Sequence, residues 1–266
     1  MRKVLFIFIV MMGTTAWAQS CPDDNHPHKI DLGLPTGTKW SCCNVGANSP
    51  DECGGYFAWG ETSEKQVYNW TTYLYGHFDS EANHYVGDNI GSSICNTDYD
   101  VAHVLWGDTW RMPSDTDVTE FLQNCSYEWT MMNGFQGGKY TGPNGNSIFI
   151  PAVGYKEETS FHYYKTGSFC WIGRADSSDP NSAYLFGNDK YNCGWLIYQR
   201  DNGLSVRPVA YDDLGIENMK SISSQPVGHT IYDIYGIKVA DDVDGMANLP
   251  AGIYIVNGKK MVKGNP

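Results

Sequence analysis

Several aspartates flank one arginine, and this is the first group of side chains whose types suggest chemistry. They are Asp98, Asp100, Asp108, Asp115 and Asp117 around Arg111. Carboxylates beside a cation can act as the general acid and base of a hydrolase. Aspartates just before an amphipathic segment are, however, also typical of helix capping and solvated loops. With no Gly-x-Ser-x-Gly or His-Glu-x-x-His motif present, we predict no catalytic residue.

Aromatic side chains form the second group, at 14% of the chain. Exposed tyrosine and tryptophan rings can stack on the faces of sugars, whereas a core built from the same residues gives the same composition. The candidates in or near predicted loops are Tyr68, Trp70, Tyr73, Tyr75, Tyr163, Tyr164 and Tyr198. A binding module and a bare scaffold differ in one respect: whether the loops around 62–98 and 156–165 form a shared exposed aromatic patch.

The first residues predict export. Arg2 and Lys3 are basic, Val4–Met12 is apolar, and alanines precede a cleavage point after Ala18. This pattern is typical of a removable signal peptide over residues 1–18, followed by an N-terminal tail over 19–28. The apolar run is shorter than the roughly 20 residues of a membrane span. Lipidation at Cys21 is the alternative, although the preceding residues lack the expected large aliphatic side chain.

The negative net charge of the chain limits the classes of molecule that it can bind. Removing Arg2 and Lys3 changes the formal net charge from −12 to −14. An acidic surface without basic clusters argues against nucleic acid and anionic membranes, and no later segment suggests a membrane span. Acidic loops could take calcium, but no dense run of ligands appears. His26 and His28 fit a flexible tail better than a metal site, and we predict no cofactor.

The cysteines predict disulfides. All eight lie beyond the signal, at Cys21, Cys42, Cys43, Cys53, Cys95, Cys125, Cys170 and Cys193. An even count in an exported chain favours disulfides, and no two Cys-x-x-Cys pairs suggest zinc. Neighbouring strand residues point to opposite sides, so Cys42 and Cys43 should have different partners. We expect one of them to reach Cys125, and Cys170 and Cys193 are a further possible pair.

Two helices and several short strands must position these groups. Ser114 predicts a helix N-cap, with Asp117 three residues later and an apolar face from Val118 to Cys125. A second helix is predicted around 100–105. Strand-like runs separated by turn signals are Lys39–Cys42, Gly55–Trp59, Ser147–Val153, Ser168–Ile172, Ala183–Phe186, Trp195–Tyr198 and Leu204–Val209. The fold class is therefore α+β.

The composition changes after Tyr211. Residues 212–227 are predicted to be a linker, and the following 228–266 contain alternating strands at 230–236 and 252–263. Asn257 and Gly258 predict a two-residue hairpin turn that pairs the preceding strand with Lys259–Lys263. A segment this short is near the lower limit for folding alone. It is either a small β-sandwich-like tail that leans on its neighbour or a recognition tag.

Most of residues 29–211 resemble a known family. The matching motifs, in order, are Ile30–Trp40, Asn44–Ala47, Gly55–Thr62, Tyr99–Ala102, Trp110–Ser114, Gly142–Tyr155 and Gly203–Val209. Together they resemble the Fibrobacter succinogenes major paralogous domain of exported proteins from Bacteroidetes-type bacteria. That family is similar to the C-type-lectin-like fold of formylglycine-generating enzymes. The resemblance implies an irregular domain of this kind, with short strands and one or two helices.

The resemblance also implies structural roles for a set of fingerprint residues. These are Trp40, Trp59, Trp110, Arg111, Pro113 and Arg207. The tryptophans can fill the core, and the arginines can hold carboxylates or loop carbonyls by forked hydrogen bonds. The oxidase relatives bind copper through late paired cysteines. Here no cysteine follows Cys193, and Pro208 stands where those relatives have one.

The end of the chain resembles a C-terminal sorting domain of the type IX secretion system. The matching stretches are Ile231–Val239 and Leu249–Val256, with Ile237 where the family usually has arginine. The resemblance implies transport across the outer membrane by the type IX machinery. We therefore expect an exported, non-catalytic binding or adhesion module for glycans or proteins at the cell surface. The alternatives are a display scaffold without a defined ligand and a formylglycine-generating-like oxidase.

Overall fold

The computed structural model describes residues 28–107, 109–211, 231–233, 238–240, 249–250, 252–256 and 259–263. The chain divides into two compact units, Met1–Asp212 and Asp213–Pro266. The expected signal peptide, the N-terminal tail up to residue 27 and the linker lie outside the described residues. In the described part, no helix is long and apolar enough to cross a membrane.

The first unit consists of small antiparallel sheets and two helices, which agrees with the α+β class. Its strands are β1 Lys29–Asp31, β2 Lys39–Ser41, β3 Gly76–Asp79, β4 His84–Gly87, β5 Trp110–Arg111, β6 Ser126–Met132, β7 Phe135–Thr141, β8 Ser147–Pro151, β9 Tyr155–Glu157, β10 Ser160–His162, β11 Gly167–Ala175, β12 Ser182–Asp189, β13 Cys193–Gln199 and β14 Val209–Ala210. The largest sheet has the order β1-β2-β14-β5, and β6-β7-β8 and β11-β12-β13 form three-stranded sheets.

Both predicted helices are present. Helix α1 spans Val101–Trp106 and is capped by Asp100, whose carboxylate accepts the backbone N–H groups of Ala102 and His103. The same carboxylate also accepts the N–H of Met112, which ties the helix to the end of β5. Helix α2 spans Asp115–Asn124 and begins with the capping box of Ser114 and Asp117. Local side-chain capping thus sets both helix starts.

The fingerprint residues have the predicted structural roles. Trp40, Trp59 and Trp110 are buried, and Trp40 stacks on Phe121 of α2 with 4.2 Å between ring centroids. Pro113 is buried as well, and its carbonyl accepts the N–H of Gly173 at 2.8 Å. The tryptophan-rich composition therefore builds the core of this unit.

Some predicted strands are shorter or absent. Gly55–Trp59 forms only an isolated bridge, from Phe57 to Leu204, and the run ending at Val209 becomes a strand only at its last residues. Three hairpins that the sequence did not suggest are present: β3–β4, β6–β7 and β9–β10. Strands β3, β4, β9 and β10 are short and carry glycine, histidine and charged residues, so apolar alternation does not mark them. In β6, Tyr127, Trp129 and Met131 do alternate with polar residues, so this strand had a sequence signal that the prediction missed.

The second unit contains one antiparallel sheet within its described residues. Its strands are β15 Ile231–Asp233, β16 Lys238–Ala240, β17 Gly252–Val256 and β18 Lys259–Lys263, in the order β16-β15-β17-β18. Val256 pairs with Lys259, which confirms the predicted two-residue connection; the turn residues themselves lie outside the described residues. Ile231 and Tyr254 are buried together in one hydrophobic cluster.

The expected disulfides are not formed between any two of the seven described cysteines. The sulfur atoms of Cys42 and Cys43 lie 3.7 Å apart, at a bend after β2 rather than on a strand, so strand alternation does not separate them. Neither reaches Cys125. Cys170 and Cys193 lie on β11 and β13 with β12 between them, a separation of about 10 Å that no disulfide bridges. Cys21 lies outside the described residues.

Candidate binding groove

A groove opens where the β6–β7 hairpin meets the ends of β11, β12 and β13. Its cavity volume is about 430 Å³. Five aromatic residues line it: Trp129, Tyr163, Phe169, Tyr191 and Trp195. The polar lining includes Gln136, Lys165, Thr166, Asn188, Asp189, Lys190 and Asn192. A concave surface of aromatic rings with a few amides and charges is typical of a small-molecule site.

A glycine leaves part of the groove floor open. Gly187 of β12 pairs directly with Gly194 of β13, and paired residues in antiparallel strands share one face. A Cβ atom at Gly194 would meet nothing within 4 Å, so the space above it is open. Gly187 is buried, and a Cβ atom there would lie 2.9 Å from the side chain of Leu196. The open part of the floor is therefore the backbone at Gly194.

The β6–β7 hairpin forms one wall. The indole N–H of Trp129 donates to the side-chain oxygen of Gln136 at 2.7 Å, which orients both side chains. The hydroxyl of Tyr127 donates to the backbone carbonyl of Asp189, and this bond joins the hairpin to the end of β12. Burial raises the pKa of this tyrosine, so the hydroxyl stays a donor at physiological pH.

A tight turn after β12 presents the most exposed ring of the groove. The carboxylate of Asp189 accepts the N–H groups of Tyr191 at 2.8 Å and Asn192 at 2.9 Å. Tyr191 is 77% exposed, and the amino group of Lys190 lies 4.7 Å from its ring centroid. The turn is thus fixed by hydrogen bonds from its backbone N–H groups to the Asp189 carboxylate, while the side chains of Lys190, Tyr191 and Asn192 are exposed.

A second turn supplies Tyr163 and Lys165. Both have positive φ angles, 53° and 64°, a conformation that is unfavourable for residues with a side chain. Lys165 is held by the bond from its N–H to the carbonyl of Ala152 at 2.7 Å, and Thr166 N–H donates to Tyr163 at 2.9 Å. Tyr163 is 57% exposed, with its ring 5.4 Å from that of Phe169.

The predicted binding residues have different environments. Tyr163 lines the groove, and Tyr164 lies exposed beside Phe135 and Phe161, with centroid distances of 5.7 and 5.6 Å. Tyr198 is half-buried with its ring 5.0 Å from that of Tyr155. Trp70 and Tyr75 are half-buried, and both rings pack against Tyr73.

Tyr68 and Tyr73 correct the prediction, because both are buried. Their hydroxyls donate to the backbone carbonyls of Tyr56 at 2.5 Å and Trp59 at 2.7 Å. Neither ring face is available for stacking on a ligand. These tyrosines instead fix the loop over 62–75 to the core.

A shared exposed aromatic patch on the loops around 62–98 and 156–165 was the feature that would distinguish a binding module from a bare scaffold. By that criterion these two loops give no support to a binding module, because their exposed rings remain separate. Tyr68 and Glu158 form a backbone bridge between them, but among the described residues no pair of stacked or edge-on rings joins 62–98 to 156–165. Phe78 pairs with Tyr85 on the first loop. The exposed aromatic surface beside the groove is therefore formed by the second loop.

Several groove residues were missed from the sequence. Trp129, Phe169, Tyr191 and Trp195 were not among the candidates, since they lie on strands or a turn between strands. The one local signal was the segment from Asp189 to Asn192, whose aspartate and asparagine are typical of a tight turn. A tyrosine and a lysine inside such a turn are exposed by its geometry.

The two fingerprint arginines, Arg111 and Arg207, are bonded to the protein itself. Arg111 makes a forked pair with Asp117, with N–O distances of 2.6 and 3.0 Å. Burial would raise the pKa of this carboxyl, but the bonds and charge of Arg111 hold it below the ordinary value. Arg207 donates to Asn44 Oδ1 and to the carbonyls of Ser41 and Phe149. Both arginines hold the scaffold, as the fingerprint implied.

The described residues contain no group of three or more histidine, cysteine, aspartate or glutamate side chains that could hold a metal ion. The groove lining itself contains no cysteine. The chemistry of the groove is therefore that of aromatic faces, amides and amino groups.

Comparisons with known proteins give little. No family model matches the chain, and no solved structure matches it. Over 68 residues, the chain is 34% identical to the non-toxic nonhemagglutinin type D of Clostridium botulinum D phage. That stretch is 24% of this chain and 6% of the phage protein, so the chain spans a small part of that relative's length.

Proposed function

We propose that this protein is an exported, non-catalytic binding module that recognises glycans at the surface of a Bacteroidetes-type bacterium. The observation that supports it most directly is the groove of five aromatic residues with an open floor at Gly194. We propose the same fold that the sequence motifs suggest, an irregular C-type-lectin-like domain. In this proposal the sheets form a scaffold and the turns at 163–166 and 189–192 bind the ligand.

The lining suits a sugar. The face of a pyranose is apolar and stacks on tyrosine or tryptophan, while its hydroxyls need hydrogen-bond partners. Tyr191 and Tyr163 offer exposed rings, and Gln136 and Asn192 offer amides at the same groove. The open space above Gly194 leaves room for a flat ring beside these side chains.

The two ends of the chain complete the proposal. Residues 1–18 act as the export signal, and residues 228–266 act as a type IX sorting domain that directs the protein across the outer membrane. The short antiparallel sheet of the second unit suits a compact address of this kind. A pulse-chase in a host with and without type IX secretion, following the full chain and a chain ending at Asp212, tests this part.

A glycan array followed by titration calorimetry tests the binding proposal. Gly194→Leu should fill the floor without a clash, since a Cβ there meets nothing within 4 Å, and should weaken binding at least tenfold. Tyr191→Ala should weaken it about tenfold through loss of stacking. Leu74→Ala is the matched control for Tyr191→Ala. Leu74 is 70% exposed, close to the 77% of Tyr191, but it lies outside the groove.

Two outcomes contradict the proposal. One is a chain that binds no glycan on the array; this result favours the scaffold alternative. The other is a bound glycan whose affinity is the same for Gly194→Leu as for the unchanged protein, since the binding surface then lies elsewhere.

A further inference from the structure

We infer that the groove selects an anionic saccharide, one with carboxylate or sulfate groups, and that Lys165 and Lys190 bind those groups. This inference rests on the proposed function and specifies its ligand class. It is based on the charges that line the groove and on the partners that each charge already has.

The two lysines are the cations of the groove lining. They are supplied by separate turns, and each amino group lies over aromatic rings: Lys165 is 5.8 Å from the centroids of Phe135 and Tyr164, and Lys190 is 4.7 Å from that of Tyr191. Neither forms an ion pair with any described residue. Lys190 therefore carries its charge beside a ring of the groove, Tyr191, whereas Lys165 lines the groove but its neighbouring rings do not.

The carboxylate of the groove is already engaged. Asp189 is the acidic residue among the lining side chains, and one of its oxygens accepts the N–H groups of Tyr191 and Asn192. Those bonds hold its carboxylate in the turn, where the ammonium group of Lys190 also interacts with it and with the side chain of Tyr191. The groove lining thus contains two lysines and one aspartate, and the carboxylate of that aspartate already accepts two hydrogen bonds.

This local balance is opposite to that of the whole chain, which has 18 lysines and arginines against 30 aspartates and glutamates. A concave positive site on an acidic protein attracts anions locally while the remaining surface repels them. A neutral glycan can accept hydrogen bonds from the two ammonium groups but gains no charge–charge attraction. An acidic glycan gains a charge-assisted hydrogen bond from each, in addition to stacking.

Titration calorimetry on the full chain tests this with three saccharides of equal length: an oligogalacturonate, a heparin-derived oligosaccharide and a neutral cello-oligosaccharide. We expect at least one anionic probe to bind tenfold or more tighter than the neutral one, and to weaken as NaCl rises from 0.05 to 0.5 M (about 13 Å to about 4 Å of screening length). Preference for the carboxylated or the sulfated probe identifies which anion the site takes.

Substitutions locate the effect. The double variant Lys165→Gln with Lys190→Gln should lower the ratio of anionic-probe affinity to neutral-probe affinity tenfold or more. Lys139→Gln is the matched control, because Lys139 lies on the face of β7 opposite to Gln136 and does not line the groove.

The outcomes separate the two proposals. Equal affinity for neutral and anionic probes, with no loss in the double variant, overturns the anionic inference and leaves glycan binding in place. Anionic binding that persists in both Gly194→Leu and the double variant also overturns it. Failure of all three probes, together with an empty glycan array, overturns the proposed function itself.

Discussion

Buried charges in this protein are stabilised to different degrees, residue by residue. Arg207 is fully buried and donates to three acceptors, and Arg111 is paired with Asp117. Asp201 is 6% exposed, yet its Oδ1 atom has no hydrogen-bond partner among the described residues. Burial raises the pKa of this carboxyl to about 6. Its ionised form is therefore a cost to the folded protein at neutral pH.

Asp201→Asn should stabilise the protein in a pH-dependent way. The folded pKa of about 6 lies above the ordinary aspartate value of 3.8, so the unchanged protein loses stability as pH rises through this range. Below pH 4 both proteins should have the same free energy of unfolding. Above pH 7 the variant should be more stable by up to about 3 kcal/mol. Urea unfolding at pH 4, 5.5 and 7.5 measures this, and a difference that does not change with pH contradicts it.

At the scale of elements, helix α2 is attached to β5 by a buried ion pair. Asp117 of the helix binds Arg111 of β5, and the hydroxyl of Tyr211 donates to the same carboxylate at 2.9 Å. The guanidinium also lies 4.9 Å from the centroid of the Tyr211 ring. The first turn of the helix contains a second acid, Asp115, whose pair with Arg174 is about half exposed on both sides.

Asp117→Asn should cost about 3 kcal/mol of unfolding free energy, because it leaves the buried Arg111 guanidinium without its counter-charge. Asp115→Asn is the matched control: the same substitution in the same helical turn removes an exposed pair and should cost at most about 1 kcal/mol. Chemical denaturation of the two variants side by side makes the comparison. Equal losses would mean that the charge of Asp117 is not what fixes the helix.

At the scale of the whole molecule, the first unit is closed by the last residues before Asp213. Strand β14 lies between β2 and β5, so Val209 pairs with Trp40 on one side and Arg111 on the other. Val209 and Ala210 are fully buried. The strand that completes the β1-β2-β14-β5 sheet thus comes from the last residues of the unit, whereas β1 comes from its first described residues.

Two truncations test this closure. A chain ending at Asp212 retains β14 and Tyr211, whereas a chain ending at Pro208 lacks both. We expect the shorter chain to be less stable than the longer one by at least about 3 kcal/mol, or not to fold, since it loses a buried valine and a central strand. Thermal unfolding by circular dichroism compares them. Similar midpoints for the two chains would show that β14 is dispensable.

The sequence by itself determined the features whose signals are local. Ser114 predicted the start of α2 because capping depends on residues three or four apart, and the second helix was predicted around 100–105. Asn257 and Gly258 predicted the pairing of β17 with β18 because hairpin geometry is set by the two residues of the turn. The fingerprint tryptophans and arginines also have their predicted core and hydrogen-bonding roles.

Only the tertiary structure showed that the groove forms and which aromatic side chains are buried or exposed. Gly187 lies opposite Gly194 because of strand register, and Tyr127 closes the wall on Asp189 across a long chain separation. Tyr68 and Tyr163 look alike as loop tyrosines, but one is fully buried and the other is 57% exposed. Burial and register depend on contacts between residues distant in the chain, and composition and local spacing do not encode which of those contacts form.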